Sequence, residues 1–166
     1  MLAGWLASPH VKEWWREEGD LESVQVTYGP ILDESDPTEA FIVVDGGTPV
    51  GYVQRYLLAD NPDWQRAVAV GTDELEAAGI DYLIGDERLI GQGLGTRIIA
   101  RFADESWLRY PDVPAIVADV DQRNVASWRA LERVGFRRAW SGMLESDHPS
   151  DEGPQYLYVL HRQRLA

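Results

Sequence analysis

Ile90-Gly91-Gln92-Gly93-Leu94-Gly95-Thr96, running directly into Arg97-Ile98-Ile99-Ala100-Arg101-Phe102, is the stretch on which the reading of this chain turns. Three glycines separate a short apolar run, Ile80 to Ile84, from an amphipathic pattern in which Leu94, Ile98 and Phe102 recur four apart, with Ile99 and Ala103 widening the stripe. Strand, glycine turn and helix in that order leave free backbone N–H groups at the positive end of a helix dipole, which is an anion site. Without side chains on the turn, a phosphate can approach the main chain closely. The two commonest nucleotide loops do not fit. A P-loop needs Lys after its last glycine, and Gly95 is followed by Thr96. A dinucleotide fingerprint needs G-x-G-x-x-G with an acidic ribose partner, and the spacing here is G-x-G-x-G without one. The same glycines could also serve only a tight strand-to-helix turn.

Upstream, Leu2 to Trp15 reads as a helix that Pro9 can break, and Leu21 to Leu32 as a weakly helical second one. Phe41 to Val44 and Val50 to Leu58 are β-branched runs around Asp45-Gly46-Gly47-Thr48-Pro49, a hairpin. Asn61 to Ala78 has no clean period. Downstream, Pro111 and Pro114 close the long helix and Ala115 to Val120 is a strand. Asn124 can N-cap a helix whose Val125, Trp128, Leu131 and Val134 are expected to face inward, with Gly135 past its end. Arg137 to Leu144 and Gln155 to His161 are two last strands flanking an acidic loop, Glu145 to Gly153. The order predicts an α/β fold: a mixed, mostly antiparallel central sheet flanked by helices, and not a doubly wound one.

The chain has 166 residues, which fits a single domain spanning 1–166. Fifteen Lys+Arg against 28 Asp+Glu give a net charge of −13, the wrong sign for a nucleic-acid partner and the right one for a small cation. No apolar run approaches the roughly 18 residues of a membrane span. The N-terminus lacks the basic-then-apolar pattern of a secretory signal, so a cytoplasmic setting is expected. The absence of cysteine excludes thiol nucleophiles, and the three histidines have neither metal-ligand nor triad spacing. No metal is expected, and His10, His148 and His161 read as surface or packing residues.

Ile90 to Thr96, together with Asn124 and Leu131-Glu132-Arg133-Val134-Gly135-Phe136, resembles the GNAT superfamily of acetyl-CoA-dependent N-acyltransferases. His10-Val11-Lys12-Glu13-Trp14-Trp15, Pro49-Val50-Gly51-Tyr52-Val53-Gln54 and Gly79-Ile80-Asp81 make the likeness strongest to the aminoglycoside 6′-N-acetyltransferases. The resemblance implies coenzyme A held by Ile84, Leu89, Ile90, Gly91, Gln92, Gly93, Leu94, Gly95 and Thr96, with Asn124 and Ser127 beside the pantetheine arm. The chain departs from the family in three places. Ile90 stands where Arg or Gln is common. Leu131 stands where many members carry a Tyr that protonates the leaving thiolate. The edge strand that usually precedes the first helix is not in this sequence.

Acetylating an amine requires a base to take its proton, and a carboxylate beside the acyl group can do so directly or through water. The resemblance makes Asp81 that base. Asp119, ending the next strand, either faces the bound amine or supports the helix at Asn124, and Asp121 has the same ambiguity. Glu152 matches an acidic substrate-loop position, or is a solvated loop charge. Trp14, Trp15 and Trp64 could stack on a sugar or a cation, with core packing the alternative for Trp14. Trp5, Trp107, Trp128 and Trp140 read as core or interface. Tyr52 and Gln54 are placed on alternate sides of a strand, so that one faces the substrate. The expected activity is acetyl-CoA-dependent acetylation of a primary amine on a small cationic molecule, an aminoglycoside first, by a monomer or homodimer. The alternatives are a siderophore-type N-acyltransferase and a non-catalytic acyl-CoA-binding module.

Overall fold

Gly46 and Gly47, at φ of +56° and +83°, form the two-residue turn that folds β1 (Glu39–Asp45) antiparallel onto β2 (Thr48–Leu57). Both positions need the left-handed region that glycine reaches without steric cost, and such a turn matches the twist of the strands it joins. A computed structural model describes residues 1–163. In it β2 pairs antiparallel with β3 (Ala78–Ile84), and β4 (Ala115–Asp121) runs parallel to β3. β6 (Pro154–His161) lies antiparallel between β4 and β5 (Arg137–Met143), so the six strands run β1-β2-β3-β4-β6-β5. The sheet is thus mixed and mostly antiparallel, as the sequence predicts.

The single parallel pair decides where the site lies. β3 and β4 are in register only at Ala78–Ile116 and Gly79–Val117, and beyond these pairs the strands part. Asp81, Tyr82, Asp119 and Val120 follow on the two sides of the opening. Strand period two assigns their faces. Ile80, Val53, Ile116, Ala118 and Val120 join a core with α5 (Leu94–Arg109) and α6 (Val125–Val134), and Tyr82 and Ile84 pack against it. On the other face Tyr52 and Leu83 pack under α1 (Leu2–Leu6), α2 (Pro9–Trp15) and α3 (Leu21–Leu32), while Val117, Leu157 and Tyr56 pack under α4 (Pro62–Val68).

Several expectations sharpen or change. Leu2 to Trp15 is two helices, because Ser8 is extended at ψ 136° and Pro9 starts the second as its first residue, where its missing N–H costs nothing. The stretch without a clean period holds α4, again opened by a proline, Pro62. Val125 does not face inward; it is 40% exposed at the first turn of α6, while Leu131 is fully buried. Asn124 does cap α6, its side chain accepting from Ser127 N at 3.2 Å, and Gly135 ends it at φ +110°. Among the described residues no helix is long and apolar enough to cross a membrane.

Candidate active site

A cavity of about 1140 Å³ opens on the face that carries α1 to α4, at the parted end of β3 and β4. Its wall is acidic: Glu17, Asp36, Asp60, Asp81, Asp119 and Asp151 all line it. Trp14, Trp15 and Trp64 add aromatic surface. Asn124 and Ser127, at the N-terminus of α6, close the end where the strands separate.

Asp81 stands on β3 opposite Gln54 of β2, and the cross-strand register turns into a side-chain bond: Gln54 Nε2 donates to Asp81 Oδ2 at 2.8 Å. Tyr52 Oη donates in turn to Gln54 Oε1 at 2.6 Å. Tyr52 and Gln54 therefore lie on one side of β2, not on alternate sides, since residues two apart in a strand share a face. Tyr52 is 3% exposed, edge-on to both Trp15 and Tyr28. Tyr28 Oη donates to Glu17 Oε2 at 2.8 Å, which fixes a second carboxylate at the cavity. Burial pushes the Asp81 carboxyl up to about 6, against the Gln54 bond that favours its ionised form. Asp119 is raised well above the usual carboxylate range, first by burial and then by the charges of Asp151 and Asp81.

A further part of the cavity wall comes from the loop before β6. Asp151 is buried and accepts from Ser150 Oγ at 2.9 Å and from Ser146 Oγ. Glu152, the residue expected here, is exposed and does not line the cavity; its contribution is a main-chain carbonyl that accepts from Arg16 Nη1. Asp151 ends a single 3-10 turn, Pro149–Asp151, and Glu152 leaves it extended, so the two neighbouring side chains diverge and Asp151 is the one buried at the cavity. Arg16 also reaches the carbonyls of Pro149 at 3.3 Å and Ser150 at 3.4 Å, and its Nη2 bonds Asp121 Oδ2 at 2.6 Å. Asp121 holds Arg123 as well and accepts from its backbone N, so this carboxylate is structural. His148, read as a surface residue, lines the cavity, with Nε2 3.5 Å from Glu17 Oε1 and Nδ1 2.7 Å from Ser150 Oγ.

Trp14 and Trp15 reach the cavity, Trp14 with the Arg123 guanidinium 5.9 Å from its ring. Trp64 does so from α4 while packing on the core beneath it. Trp5, Trp107, Trp128 and Trp140 pack against core clusters, as expected. Tyr82, on which the sequence reading is silent, lines the cavity with its Oη 2.6 Å from Ser127 Oγ.

The glycine loop lies apart from these lining residues. Gly91 and Gly93 both take φ of +77°, and a Cβ on either would meet nothing within 4 Å, so the glycines serve backbone conformation in open space. Gly93 is the N-cap of α5 and no side chain caps that helix, so its leading N–H groups face outward unpartnered by side chains. Leu94 is buried in the core, Leu89 packs against it and Ile90 is 41% exposed. The loop's donors and its freedom from side chains fit a phosphate anion.

Residues 1–142 match the family model described as Acetyltransferase (GNAT) domain. The aminoglycoside N(6')-acetyltransferases type 1 of Klebsiella pneumoniae and Serratia marcescens are each 30% identical to this chain over 168 residues, spanning 98% of it and 78% of their own length. The crystal structure of aminoglycoside acetyltransferase AAC(6')-Ib with coenzyme A superposes with a TM-score of 0.81 at 28% identity, over 98% of this chain and 88% of that one. The same enzyme with ribostamycin and coenzyme A also gives 0.81 at 28%, over 98% and 87%.

Proposed function

This chain belongs to the GNAT acetyltransferase family and is an N-acetyltransferase, and from that premise we propose that it acetylates a primary amine of a polycationic amino sugar of the aminoglycoside class, with Asp81 as general base and residues 1–166 acting as one catalytic domain. The observation that carries the reading is the carboxylate-lined cavity at the parted end of β3 and β4, with Asp81 held by Gln54 at its floor. Curated relatives named for aminoglycoside acetylation support the substrate class.

Acetyl-CoA supplies the acyl group as an activated thioester. The amides around Gly91, Gly93 and Gly95 and the start of α5 bind its pyrophosphate, with Ile84, Leu89, Ile90, Gln92, Leu94 and Thr96 forming that surface. Asn124 and Ser127 flank the pantetheine arm where the strands part. Asp81, with a carboxyl near 6, is ionised at neutral pH and still basic enough to accept a proton from the incoming ammonium, directly or through water. Gln54 and Tyr52 fix the orientation of that carboxylate. Asp119 and Asp151 meet further ammonium groups, and Trp14 and Trp15 offer faces for a sugar ring.

Thiol release from acetyl-CoA, measured over ribostamycin, kanamycin and simple mono-amines, tests this reading. Turnover with the amino sugars is expected, with a KM that climbs steeply with salt, because exposed charges are screened over about 10 Å at about 0.1 M. Turnover with mono-amines alone would replace the aminoglycoside by the siderophore-type acceptor. Coenzyme A binding without turnover on any amine would leave an acyl-CoA-binding module.

A further inference from the structure

Breaking a thioester puts an electron pair on sulfur, and a proton donor beside that sulfur lowers the barrier to its departure. In α6 the residue one turn beyond Ser127 is Leu131, fully buried hydrocarbon that can donate nothing. Three tyrosines line the cavity: Tyr28, Tyr56 and Tyr82. Tyr28 donates its hydrogen bond to Glu17, on the α1–α3 face. Tyr56 shares the face of Gln54 and packs into the core under α4. Elsewhere, Tyr158 donates to Glu132 at 2.9 Å and Tyr156 lies edge-on to Trp128, neither lining the cavity.

Tyr82 differs in position. It follows Asp81 on β3, so the two side chains leave the strand on opposite faces: Asp81 with Gln54 and Leu83, Tyr82 with Ile80 and Ile84 against the α5–α6 core. Its ring is anchored in that core and its Oη lies 2.6 Å from Ser127 Oγ, in the first turn of α6. The parted strands thus carry a carboxylate on one side of the opening and a phenol–hydroxyl pair on the other. Burial first, and the charges of Asp119 and Asp81 after it, raise the phenol above its ordinary value, against the Ser127 bond, so it stays protonated through the neutral range.

We propose that Tyr82 is the catalytic acid of acetyl transfer, giving its Oη proton to the departing sulfur, with Ser127 as the hydrogen-bonded hydroxyl that re-supplies it. The inference rests on the acetyl-transfer reading above. The proton balance closes. Asp81 takes one proton from the substrate ammonium and passes it to solvent. The amine nitrogen forms the new C–N bond at the acyl carbon and loses its second proton to water as the amide forms. The C–S bond breaks with its pair on sulfur, and sulfur takes the Tyr82 proton. The phenolate is then re-protonated from water through Ser127.

Tyr82→Phe keeps the ring in the core and removes only the hydroxyl. We expect kcat to fall by about 10²-fold or more, the range of a lost general acid, with coenzyme A affinity by calorimetry within about twofold of the parent. An acetyl thioester of a more acidic thiol should lose much less, because its sulfur leaves without help. Ser127→Ala should show a smaller loss in kcat of the same kind. A second readout needs no turnover: the thiolate absorbance of enzyme-bound coenzyme A, followed across pH, should rise at a higher pH in Tyr82→Phe, since a donor to sulfur stabilises the thiolate. A kcat within about twofold of the parent, an equal loss with both thioesters, or an unmoved thiol titration would each overturn the proposal. If the parent protein acetylates no amine yet its bound thiol titration depends on Tyr82, the acetyl-transfer reading fails while the contact with sulfur stands.

Discussion

The two sides of the proposed active site are built in opposite ways. The proposed coenzyme side is a run of neighbours: Gly91 to Thr96 and the first turn of α5 offer main-chain donors, and their side chains matter mainly by being absent or by packing away, as Leu94 does. The acceptor side is assembled from distant segments: Glu17 after α2, Gln54 from β2, Asp81 from β3, Asp119 from β4 and Asp151 from the loop before β6. The first is a backbone device with little charge of its own. The second gathers carboxylates close enough to raise one another, as Asp151 and Asp81 raise Asp119. Substitutions should therefore separate cleanly, affecting either coenzyme binding or the treatment of the amine.

The largest effect is expected at the proposed base, Asp81. Asp81→Asn keeps size and a hydrogen-bond acceptor for Gln54 but removes basicity, so turnover should fall by about 10² or more, with coenzyme A affinity unchanged. The pH dependence has a definite sign. With its carboxyl raised to about 6, Asp81 is protonated and inactive as a base in acid, so the parent's kcat should rise as pH passes upward through about 6. The residual activity of the Asn variant should lack that limb. Near-parental turnover, or an unaltered limb, would move the base to Asp119 or to water and break the division between the two sides.

Gly93→Val probes the other side and should do less. A Cβ there meets no neighbour, but a β-branched residue at φ +77° is strained by about 1–2 kcal/mol or must move the loop. Coenzyme A affinity should drop roughly tenfold by calorimetry. The saturating rate on the amine should hold. A loss of rate at saturating coenzyme with affinity intact would show that the two sides are not separable.

How much of this could be read from the sequence follows the same division. The glycine loop, the Gly46-Gly47 turn and the Asn124 and Gly135 ends of α6 are local features, each resolved by a few consecutive residues, and the structure forms them where the pattern put them. The acceptor wall depends on which way single side chains turn across long sequence separations. Asp151, and not its neighbour Glu152, faces the cavity from the end of a 3-10 turn in a loop held by Arg16, more than 130 residues earlier. Tyr52 and Gln54 were legible in principle, since a strand's period of two puts residues two apart on one face. The Tyr82–Ser127 pair joins β3 to α6 over 45 residues, and no local pattern announces it.

The smallest expected effect concerns Arg16, the residue that ties the acceptor wall together. It sits just past α2 in the left-handed region at φ +55°, and its guanidinium bridges Asp121 on β4 to three carbonyls of the loop that carries His148 and Asp151. Asp121 keeps Arg123 when Arg16 is lost, so no buried carboxylate is left alone. Arg16→Gly removes the bridge yet relieves roughly 1 kcal/mol of backbone strain, which offsets part of the lost hydrogen bonds at about 1 kcal/mol each. The net loss of roughly 3 kcal/mol should lower the melting temperature by roughly 6–12 degrees. The loop should loosen, with faster amide exchange over residues 144–153. The KM for a polycationic amine should rise several-fold as Asp151 loses its fixed position, while coenzyme A affinity stays put. Arg16→Lys restores the charge but not the planar fork that serves several acceptors at once, so it should rescue little. Unchanged amide exchange and an unchanged KM in the Gly variant would mean that the serines around Asp151 hold the wall without help from α2.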